Sequence, residues 1–337
     1  MITKNSIVWC FIALFALSGP EVFAQVQAPA GFSVEFSESF DYPGSVASTQ
    51  PQKISDRRAI VGVYVDFSGI QRGFVRFRHG DYSDPLVDPN DDGGITQGRG
   101  INRTSTICGD FTNAGIYHGF FTAGKDFHDY DVPGSSWTIA LGINNAGDFC
   151  GSDIPSSGVQ SGYVNINGVI SEFVIPGASN TLAYSINSSN QAAGYYIDGS
   201  GFTHGFYRDS DGSLVFPIDP AGSTGTIAFG NNDNNYIVGR YSDASGLTHG
   251  FVFVPPSTYV TFDVTGSTFT SLNGINRAGM IVGRYLDNSG IEHGLLARLV
   301  STANSPATPG VVPQRHSPTE GLVRPIAVKP RLEEPAL

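Results

Sequence analysis

The sequence predicts an all-β protein, a six-bladed β-propeller of four-stranded antiparallel blades. Similar segments recur six times at intervals of 42 to 47 residues, and each begins at an isoleucine or asparagine head. The heads are Ile54, Ile101, Ile143, Ile186, Asn231 and Ile275. A glycine stands eight residues after every head, at Gly62, Gly109, Gly151, Gly194, Gly239 and Gly283. Periods of this size are typical of repeat architectures, in which one unit cannot bury its own apolar face.

Each full unit is interpreted as four short strands. The first is the inner strand, which ends at the head, and the six inner strands are predicted at 48–54, 95–101, 137–143, 180–186, 225–231 and 269–275. A tight turn follows, with a residue type that accepts positive φ four positions after the head in four units, whereas Arg58 and Ser105 depart from that pattern. The second strand, a Gly-rich loop, the third strand, a second turn and the fourth strand complete the unit.

The two ends of the repeat array are complementary. The last unit stops after its third strand, near Leu299, whereas residues 32–40 alternate like a strand and lead into Asp41, as fourth strands do. We expect this first strand to close the ring by pairing with residues 293–299 and to bury its apolar side chains. Closure removes free sheet edges that invite aggregation. The propeller is therefore predicted to span residues 32–299.

The flanking segments have different compositions. Residues 1–24 show the charged, apolar and small-residue order of a signal peptide, and residues 25–31 form a short lead. Residues 300–337 are proline-rich and are predicted to be a flexible tail. No stretch is long and apolar enough to predict a membrane span. We therefore expect a secreted protein, extracellular or periplasmic.

Composition narrows the class of partner. The formal net charge of −11 argues against nucleic acid and anionic membranes. The 42 glycines and 23 phenylalanines are typical of a turn-rich β protein. Cys108 and Cys150 each precede a repeat glycine, and equivalent positions in adjacent units lie too far apart for a disulfide. Both are expected to be buried free thiols.

The recurrent Gly-Ile-Asn, Val-Gly-x-Tyr and His-Gly-Phe strings resemble the bacterial extracellular HAF-repeat family, named for a His-Ala-Phe tripeptide. The matching segments are His118–Phe120, His204–Phe206, His249–Phe251 and, more loosely, His293–Leu295. Arg72 and Ser161 replace the histidine in the first and third units. The resemblance implies secretion and a propeller-like fold. It implies no established activity, so no catalytic residues are carried over.

Two groups of residues within the strands are candidates for a functional site. The four third-strand histidines diverge around a ring, so we expect structural hydrogen bonds to a neighbouring strand's backbone and no shared metal ion. The inner strands carry only two charged residues, Lys53 and Arg99. That composition argues against an axial general acid/base pair.

Aspartates end the second and fourth strands, which run the same way and so reach one face of the propeller. The second-strand set is Asp66, Asp198, Asp243 and Asp287. The fourth-strand set is Asp41, Asp88, Asp131, Asp219 and Asp263. One interpretation is turn formation. The other is an acidic ligand-binding face, with Asp198, Asp243 and Asp287 as candidate Ca²⁺ ligands.

Function is less constrained than fold. We expect an exported, monomeric, non-catalytic binding or surface-interaction module whose extracellular ligand is a glycan or a cationic partner. The alternative is a carbohydrate-active hydrolase or lyase that uses carboxylates on the acidic face. Apart from the candidate Ca²⁺, no cofactor is predicted.

Overall fold

The computed structural model describes residues 31–301, which form six antiparallel sheets arranged as the blades of a ring. This confirms the six-bladed β-propeller. The predicted signal peptide lies outside the described residues. So does the predicted tail except for Val300 and Ser301, which continue the last strand and correct the predicted end of the propeller at residue 299. Within residues 31–301, no helix has the length and apolar character needed to cross a bilayer.

Blades 1 to 6 are numbered by their inner strands along the chain. These are β2 (Thr49–Ile54), β5 (Thr96–Ile101), β9 (Thr138–Ile143), β13 (Ala178–Ile186), β17 (Gly225–Asn231) and β21 (Thr270–Ile275). The second strands are β3 (Ile60–Val65), β6 (Ile107–Asn113), β10 (Phe149–Asp153), β14 (Ala192–Asp198), β18 (Ile237–Ser242) and β22 (Met280–Leu286). The third strands are β4 (Gln71–Arg76), β7 (Ile116–Ala123), β11 (Ser161–Ile166), β15 (Thr203–Arg208), β19 (Thr248–Val254) and β23 (Glu292–Ser301). The fourth strands are β8 (Asp126–Tyr130), β12 (Val169–Phe173), β16 (Leu214–Val215), β20 (Thr258–Phe262) and the first strand of the chain, β1 (Phe32–Phe40).

The fourth strand of blade 1 differs from the prediction. Instead of a continuous strand, two isolated bridges, Gly73 with Leu86 and Arg76 with Tyr82, cover the outer edge of β4. The segment between them contains Pro85, which cannot donate a ladder hydrogen bond. Blade 1 is therefore regular only over its three inner strands.

The ring closes as predicted, because β1 pairs antiparallel with β23 from Phe32 opposite Ser301 to Phe40 opposite Gly294. The expected burial of all its apolar side chains is wrong at one position. Phe40 is 7% exposed, whereas Phe36 is 47% exposed. The register shifts between Phe36 and Glu38, and this bulge interrupts the alternation that the sequence implied.

The repeat glycine permits a close approach of the second strand to the inner strand. A Cβ at Gly194 would overlap the carbonyl oxygen of Leu182, and the ring of Phe206 lies on the same glycine. The same arrangement recurs in the other blades, with Phe74, Phe120, Tyr163 and Phe251 as the covering ring in blades 1, 2, 3 and 5. Glycine is required here because a side chain would separate the strands.

Directly beside this contact, every inner strand carries a β-bulge. The register with the second strand shifts by one residue at the same place in all six blades. The unpaired residues are Gln52, Arg99, Leu141, Tyr184, Phe229 and Asn273. A bulge re-aims the side chain of its extra residue, so the same position of each repeat is directed away from the regular ladder.

Hydrogen bonds between blades join the ring. Each inner strand carries a fully buried threonine in its first half, and five of the six hydroxyls accept a backbone N–H from the preceding loop. In the remaining blade the equivalent loop residue is Pro220, which has no N–H, and the hydroxyl of Thr226 has no partner within residues 31–301. At the opposite end of the inner strands, Asn144, Asn187, Asn232 and Asn276 each donate to the backbone of the next blade.

The cysteine prediction is confirmed. Cys108 and Cys150 are free and fully buried in equivalent positions. Burial raises the pKa of the Cys108 thiol to about 12, and that of Cys150 also rises. Neither thiol is reactive in this setting.

All six turns after the heads have positive φ at the same residue, including the two that departed from the sequence pattern. Arg58 has a φ of 66° and Ser105 a φ of 65°. Left-handed backbone disfavours side chains with a Cβ. These two positions are therefore locally strained.

Replacing Arg58 or Ser105 with glycine should relieve this strain. We expect each variant to gain up to about 1 kcal/mol in unfolding free energy, measured by denaturant titration. Ser189→Gly is the matched control, since Ser189 precedes the left-handed Asn190 and does not itself have positive φ. A loss of stability in both test variants would contradict the argument.

The closing strand allows a second prediction from a matched pair of residues. Phe40→Ala removes a buried ring and should cost about 3 kcal/mol of unfolding free energy. Phe36→Ala, at a largely exposed ring of the same strand, should change it by less than about 1 kcal/mol. Equal effects in thermal or chemical unfolding would show that burial in β1 is not what stabilises closure.

Candidate functional site

The second-strand aspartates form turns on one face of the propeller, here called the acidic face. The Oδ1 atom of Asp198 accepts the backbone N–H groups of Ser200 and Phe202 at 2.8 and 2.9 Å. Asp66, Asp243 and Asp287 make the same pair of bonds in their own blades. The interpretation of these residues as turn formers therefore agrees with their geometry.

The fourth-strand aspartates meet the second-strand aspartates through the third-strand histidines. His204 places Nδ1 2.6 Å from Asp219 Oδ2 and Nε2 3.5 Å from Asp198 Oδ2. His249 lies in the same way between Asp263 and Asp243, and His293 between Asp41 and Asp287. The expectation that these histidines bond the backbone was wrong, because the two carboxylates converge on both ring nitrogens.

In each of these clusters, the contacts between the histidine and its two aspartates favour the charged form of all three side chains. Burial opposes protonation of the three imidazoles, but the paired carboxylates outweigh it and raise the pKa of His204, His249 and His293. A hydrogen bond from Ser245 lowers the pKa of Asp243 to about 2. Backbone hydrogen bonds lower the pKa of Asp198 and of Asp287.

The other blades depart from this arrangement. In blade 1, Arg72 replaces the histidine and lies 3.7 Å from Asp66 and 3.5 Å from Asp91. In blade 2, His118 contacts Asp131 alone at 3.0 Å. In blade 3, Ser161 bonds Asp153.

The placement of Asp88 on the acidic face was wrong. Asp88 is 1% exposed, and its backbone N–H bonds the threonine that begins the next inner strand. Val132 occupies that same loop position in the following blade. The aspartate is therefore shifted by one residue, and Val87 stands where the exposed carboxylate was expected.

The structure does not bring the candidate Ca²⁺ ligands together. Asp198, Asp243 and Asp287 belong to three different blades, and each faces a histidine of its own blade. In the part of the chain that is described, no group of three or more His, Cys, Asp or Glu side chains is arranged to hold a metal ion.

The acidic face also presents a ring of apolar side chains that the sequence analysis did not identify. One large apolar residue follows the loop glycine before each third strand, and five of the six are 40 to 57% exposed. These five are Ile116, Val159, Phe202, Leu247 and Ile291. They lie beside the aspartate turns, so the face combines negative charge with separate apolar contacts.

A second group of side chains meets at the propeller axis and is called the axial site. The ammonium of Lys53 in blade 1 lies 5.9 Å from the ring of Tyr184 in blade 4, directly across the ring of blades. Tyr184 also contacts Phe229 of blade 5, with centroids 5.1 Å apart. Burial lowers the pKa of Lys53 to about 8. The bulged residues Tyr184 and Phe229 thus meet the inner-strand residue Lys53 at the axis.

Second-strand side chains complete the axial site. Arg240 and Arg284, each next to a repeat glycine, stack on the ring of Phe269 with guanidinium-to-centroid distances of 5.3 and 5.4 Å. Arg284 also donates to Glu292 at 2.6 Å. Ser48 and Gln50 donate to the other oxygen of the same carboxylate.

The remaining axial carboxylate is fully enclosed. The Asp110 side chain is 0% exposed, and Arg99 donates to its Oδ1 at 2.8 Å. Burial raises the pKa of Asp110, whereas the Arg99 guanidinium opposes that rise. Asp110 follows a repeat glycine directly, and its side chain therefore pairs with the inner-strand residue Arg99 and lies away from the acidic face.

Aromatic side chains from blades 2 to 4 line the other side of the axis. Tyr117 and Trp137 have centroids 5.8 Å apart, and Tyr184 and Tyr195 lie 5.7 Å apart. All four side chains are partly exposed and pack on the same buried cluster of Ile139, Leu141 and Leu182. The axial site is therefore aromatic on one side and cationic on the other.

The axis is closed at the face opposite the acidic one. Five isoleucine heads and the following asparagine ring surround a cavity of only about 70 Å³. Asn145 of blade 3 donates to Asp56 of blade 1 across the axis at 2.9 Å. The axial site is thus reached from the acidic face.

Sequence analysis missed most of the axial site. It examined the inner strands alone, whereas Arg240 and Arg284 lie on second strands and Glu292 on a third strand. A usable signal existed in the position after the repeat glycine, which varies while its neighbours repeat. Its residues are Val63, Asp110, Ser152, Tyr195, Arg240 and Arg284.

Comparison with known proteins supports the fold only. No family model matches the chain, and no curated protein matches it. A TolB protein from Agrobacterium tumefaciens is 13% identical with a TM-score of 0.51, covering 81% of this chain and 99% of that one. TolB from Acinetobacter baumannii is 9% identical with a TM-score of 0.47, covering 74% of this chain and 54% of that one. Aleuria aurantia lectin, solved with Fucα1-6GlcNAc, is 11% identical with a TM-score of 0.46, covering 79% and 99%.

The histidine clusters predict a specific pH dependence. Raised histidine pKa values stabilise the fold below about pH 6.5 and lose this effect as pH rises through the folded values. Lowered aspartate pKa values stabilise it above 3.8 and lose this effect as pH falls. The clusters should therefore stabilise most between about pH 4 and pH 6.5.

The test compares melting temperatures across pH for the parent and a variant with His204, His249 and His293 all replaced by glutamine. The parent should lose more stability than the variant between about pH 6 and pH 9. A double replacement of the exposed His79 and His128 is the control and should follow the parent. Parallel curves for the parent and the triple variant would contradict the prediction.

Proposed function

We propose that this chain is an exported, non-catalytic binding module that takes its ligand from the acidic face into the axial site. The observation that carries this proposal is the convergence of partly exposed aromatic, cationic and amide side chains at an axis closed at its far end. Concave sites with an apolar lining and a few oriented polar groups are typical ligand sites.

The tyrosines support recognition of a ring-shaped ligand. Within residues 31–301, the hydroxyls of Tyr184 and Tyr195 have no hydrogen-bond partner, while their rings are fixed against the buried cluster below. Fixed aromatic rings offer large contact area at low entropic cost, and their hydroxyls supply hydrogen bonds. A glycan or another small cyclic compound fits this chemistry.

The surroundings of the carboxylates favour a function in binding a ligand over a function in hydrolysing it. A hydrolase or lyase needs a carboxyl group that reaches the substrate and exchanges a proton with it. Asp110 has a raised pKa, as a general acid would, but its side chain is enclosed behind Arg99. Glu292 is held by Arg284, Ser48 and Gln50. The aspartates of the face already serve turns and histidines.

The surroundings of the axial site favour a ligand that is attached to a macromolecule. The aspartates of the acidic face would favour cationic groups, and the exposed apolar ring would add contacts around the axis. Residues 1–24, predicted as a signal peptide, are consistent with action outside the cytoplasm. On this proposal the chain groups with the HAF-repeat proteins.

The experiment is a thermal-shift screen of the full chain against glycans and small cyclic compounds, followed by titration calorimetry of the hits. Tyr195→Ala should weaken binding about five- to thirty-fold, because one aromatic contact contributes on the order of 1–2 kcal/mol. Phe67→Ala, at an 86% exposed ring beside the Asp66 turn, is the matched control and should bind like the parent.

Phe202→Ser distinguishes the two surfaces of the acidic face. Loss of binding in this variant alone would place the ligand on the apolar ring and contradict an axial site. Release of product from any oligosaccharide hit by the parent would contradict a non-catalytic module.

A further inference from the structure

Arg240 differs from the other two arginines at the axis. Arg99 donates to Asp110 at 2.8 Å, and Arg284 donates to Glu292 at 2.6 Å. Arg240 makes no ion pair and donates no hydrogen bond within residues 31–301, and its guanidinium instead stacks on Phe229 and Phe269. Within the described residues, Arg240 is therefore the one arginine of the axial site without an anionic partner, and Lys53, which donates only to the backbone oxygen of Asn273, also has no carboxylate beside it.

This arrangement is costly for the fold. Burial lowers the pKa of Arg240 to about 10, and the positive charge of Arg284 adds to the effect. A partly buried guanidinium without hydrogen-bond acceptors in the protein loses part of its hydration, which stacking on two rings only partly replaces. Such unpaired groups are typical of binding sites, where a ligand supplies the missing partner.

A second donor lies beside Arg240. The Nε atom of Arg284 is buried and has no acceptor within the described residues, although its Nη1 atom bonds Glu292. Both guanidiniums stack on the ring of Phe269. An acceptor with two oxygens close together would satisfy the Arg240 fork and reduce the repulsion between the two cations.

The charge around the site favours an acceptor with a single negative charge. The axial site is entered from the acidic face, whose aspartates repel anions in proportion to their charge. A carboxylate carries one charge and matches the planar fork of a guanidinium. A phosphate ester carries close to two charges and would meet stronger repulsion on entry.

We infer that the axial site binds a carboxylate attached to a six-membered ring, with the carboxylate on Arg240 and the ring against Tyr184 and Tyr195. The inference rests on the proposed function and names the chemistry of its ligand. The ring of Phe229 lies 5.5 Å from the Arg240 guanidinium and 5.1 Å from the ring of Tyr184, so the aromatic side of the site lies beside this guanidinium. A sugar acid and an aromatic acid share the required chemistry.

The experiment measures the affinity of the full chain for two matched pairs of probes at constant ionic strength. Methyl glucuronide is compared with methyl glucoside, and 4-hydroxybenzoate with 4-hydroxybenzyl alcohol. We expect the carboxylate to bind at least about ten-fold more tightly than its neutral counterpart in one pair, which identifies the ring type.

Variants then assign the preference to Arg240. Arg240→Gln should abolish it, and Arg240→Lys, which keeps the charge without the fork, should retain only part of it. Arg277→Gln removes the same charge from an exposed residue at the closed end of the axis and should leave the preference unchanged. If Arg240→Gln does not fold, an Arg240→Lys variant with the parent's preference overturns the inference.

The inference is also overturned if neither carboxylate binds more tightly than its neutral counterpart in the parent, or if Arg240→Gln keeps the preference. A parent that binds a neutral compound through Tyr195 but shows no carboxylate preference would leave the proposed function standing. Binding that depends on neither Tyr195 nor Arg240 would remove both.

Discussion

The close approach between each repeat glycine and its inner strand is the contact on which the rest of the propeller depends. With no Cβ at Gly194, the second strand can lie against the carbonyl of Leu182, and the aromatic ring of the third strand covers the gap. The inner strand accommodates this contact with a bulge at Tyr184. The close packing and the bulge therefore occur together in every blade. Together they direct one side chain per blade away from the regular hydrogen-bond ladder.

As a result, some positions of each repeat stabilise the fold, whereas other positions are free to differ from blade to blade. The buried threonines, Thr226 excepted, and the asparagines that join the blades bond backbone groups of a neighbouring blade, which explains why they repeat. The bulged residue and the residue after the glycine bond a neighbouring backbone only in single blades, as Asn273 does with Pro51 and Ser152 with Thr181. Arg99, Tyr184 and Phe229 share one of these positions, and Tyr195 and Arg240 share the other. An asymmetric site thus arises where the repeats of a nearly symmetric scaffold diverge.

Much of the fold could be predicted from the repeat period and the pattern of residue types. The axial site depends on strand registers that the sequence does not display. The unpaired strand at Phe32–Phe40 predicted closure because strand edges need partners. Asp88 was misplaced because its loop to the next inner strand is longer than the corresponding loop after Val132. Arg58 adopts positive φ because the surrounding hairpin overrides residue preference. Arg240 was missed because a side chain of a second strand reaches the axis only when the sheet is bulged and twisted.

The charges of the acidic face and the axial site act over different distances. Asp243 follows Arg240 by three positions, directly after the end of β18, which corresponds to about 10 Å along an extended strand. This is slightly more than the screening length of roughly 8 Å at physiological ionic strength, so repulsion from the face is weakened at the depth of Arg240 but still acts on an anion that enters. A direct guanidinium–carboxylate pair in a partly buried site is screened far less. Short-range pairing therefore outweighs the overall negative charge for a small monoanion, whereas a polyanion that spans the face would meet repulsion along its length.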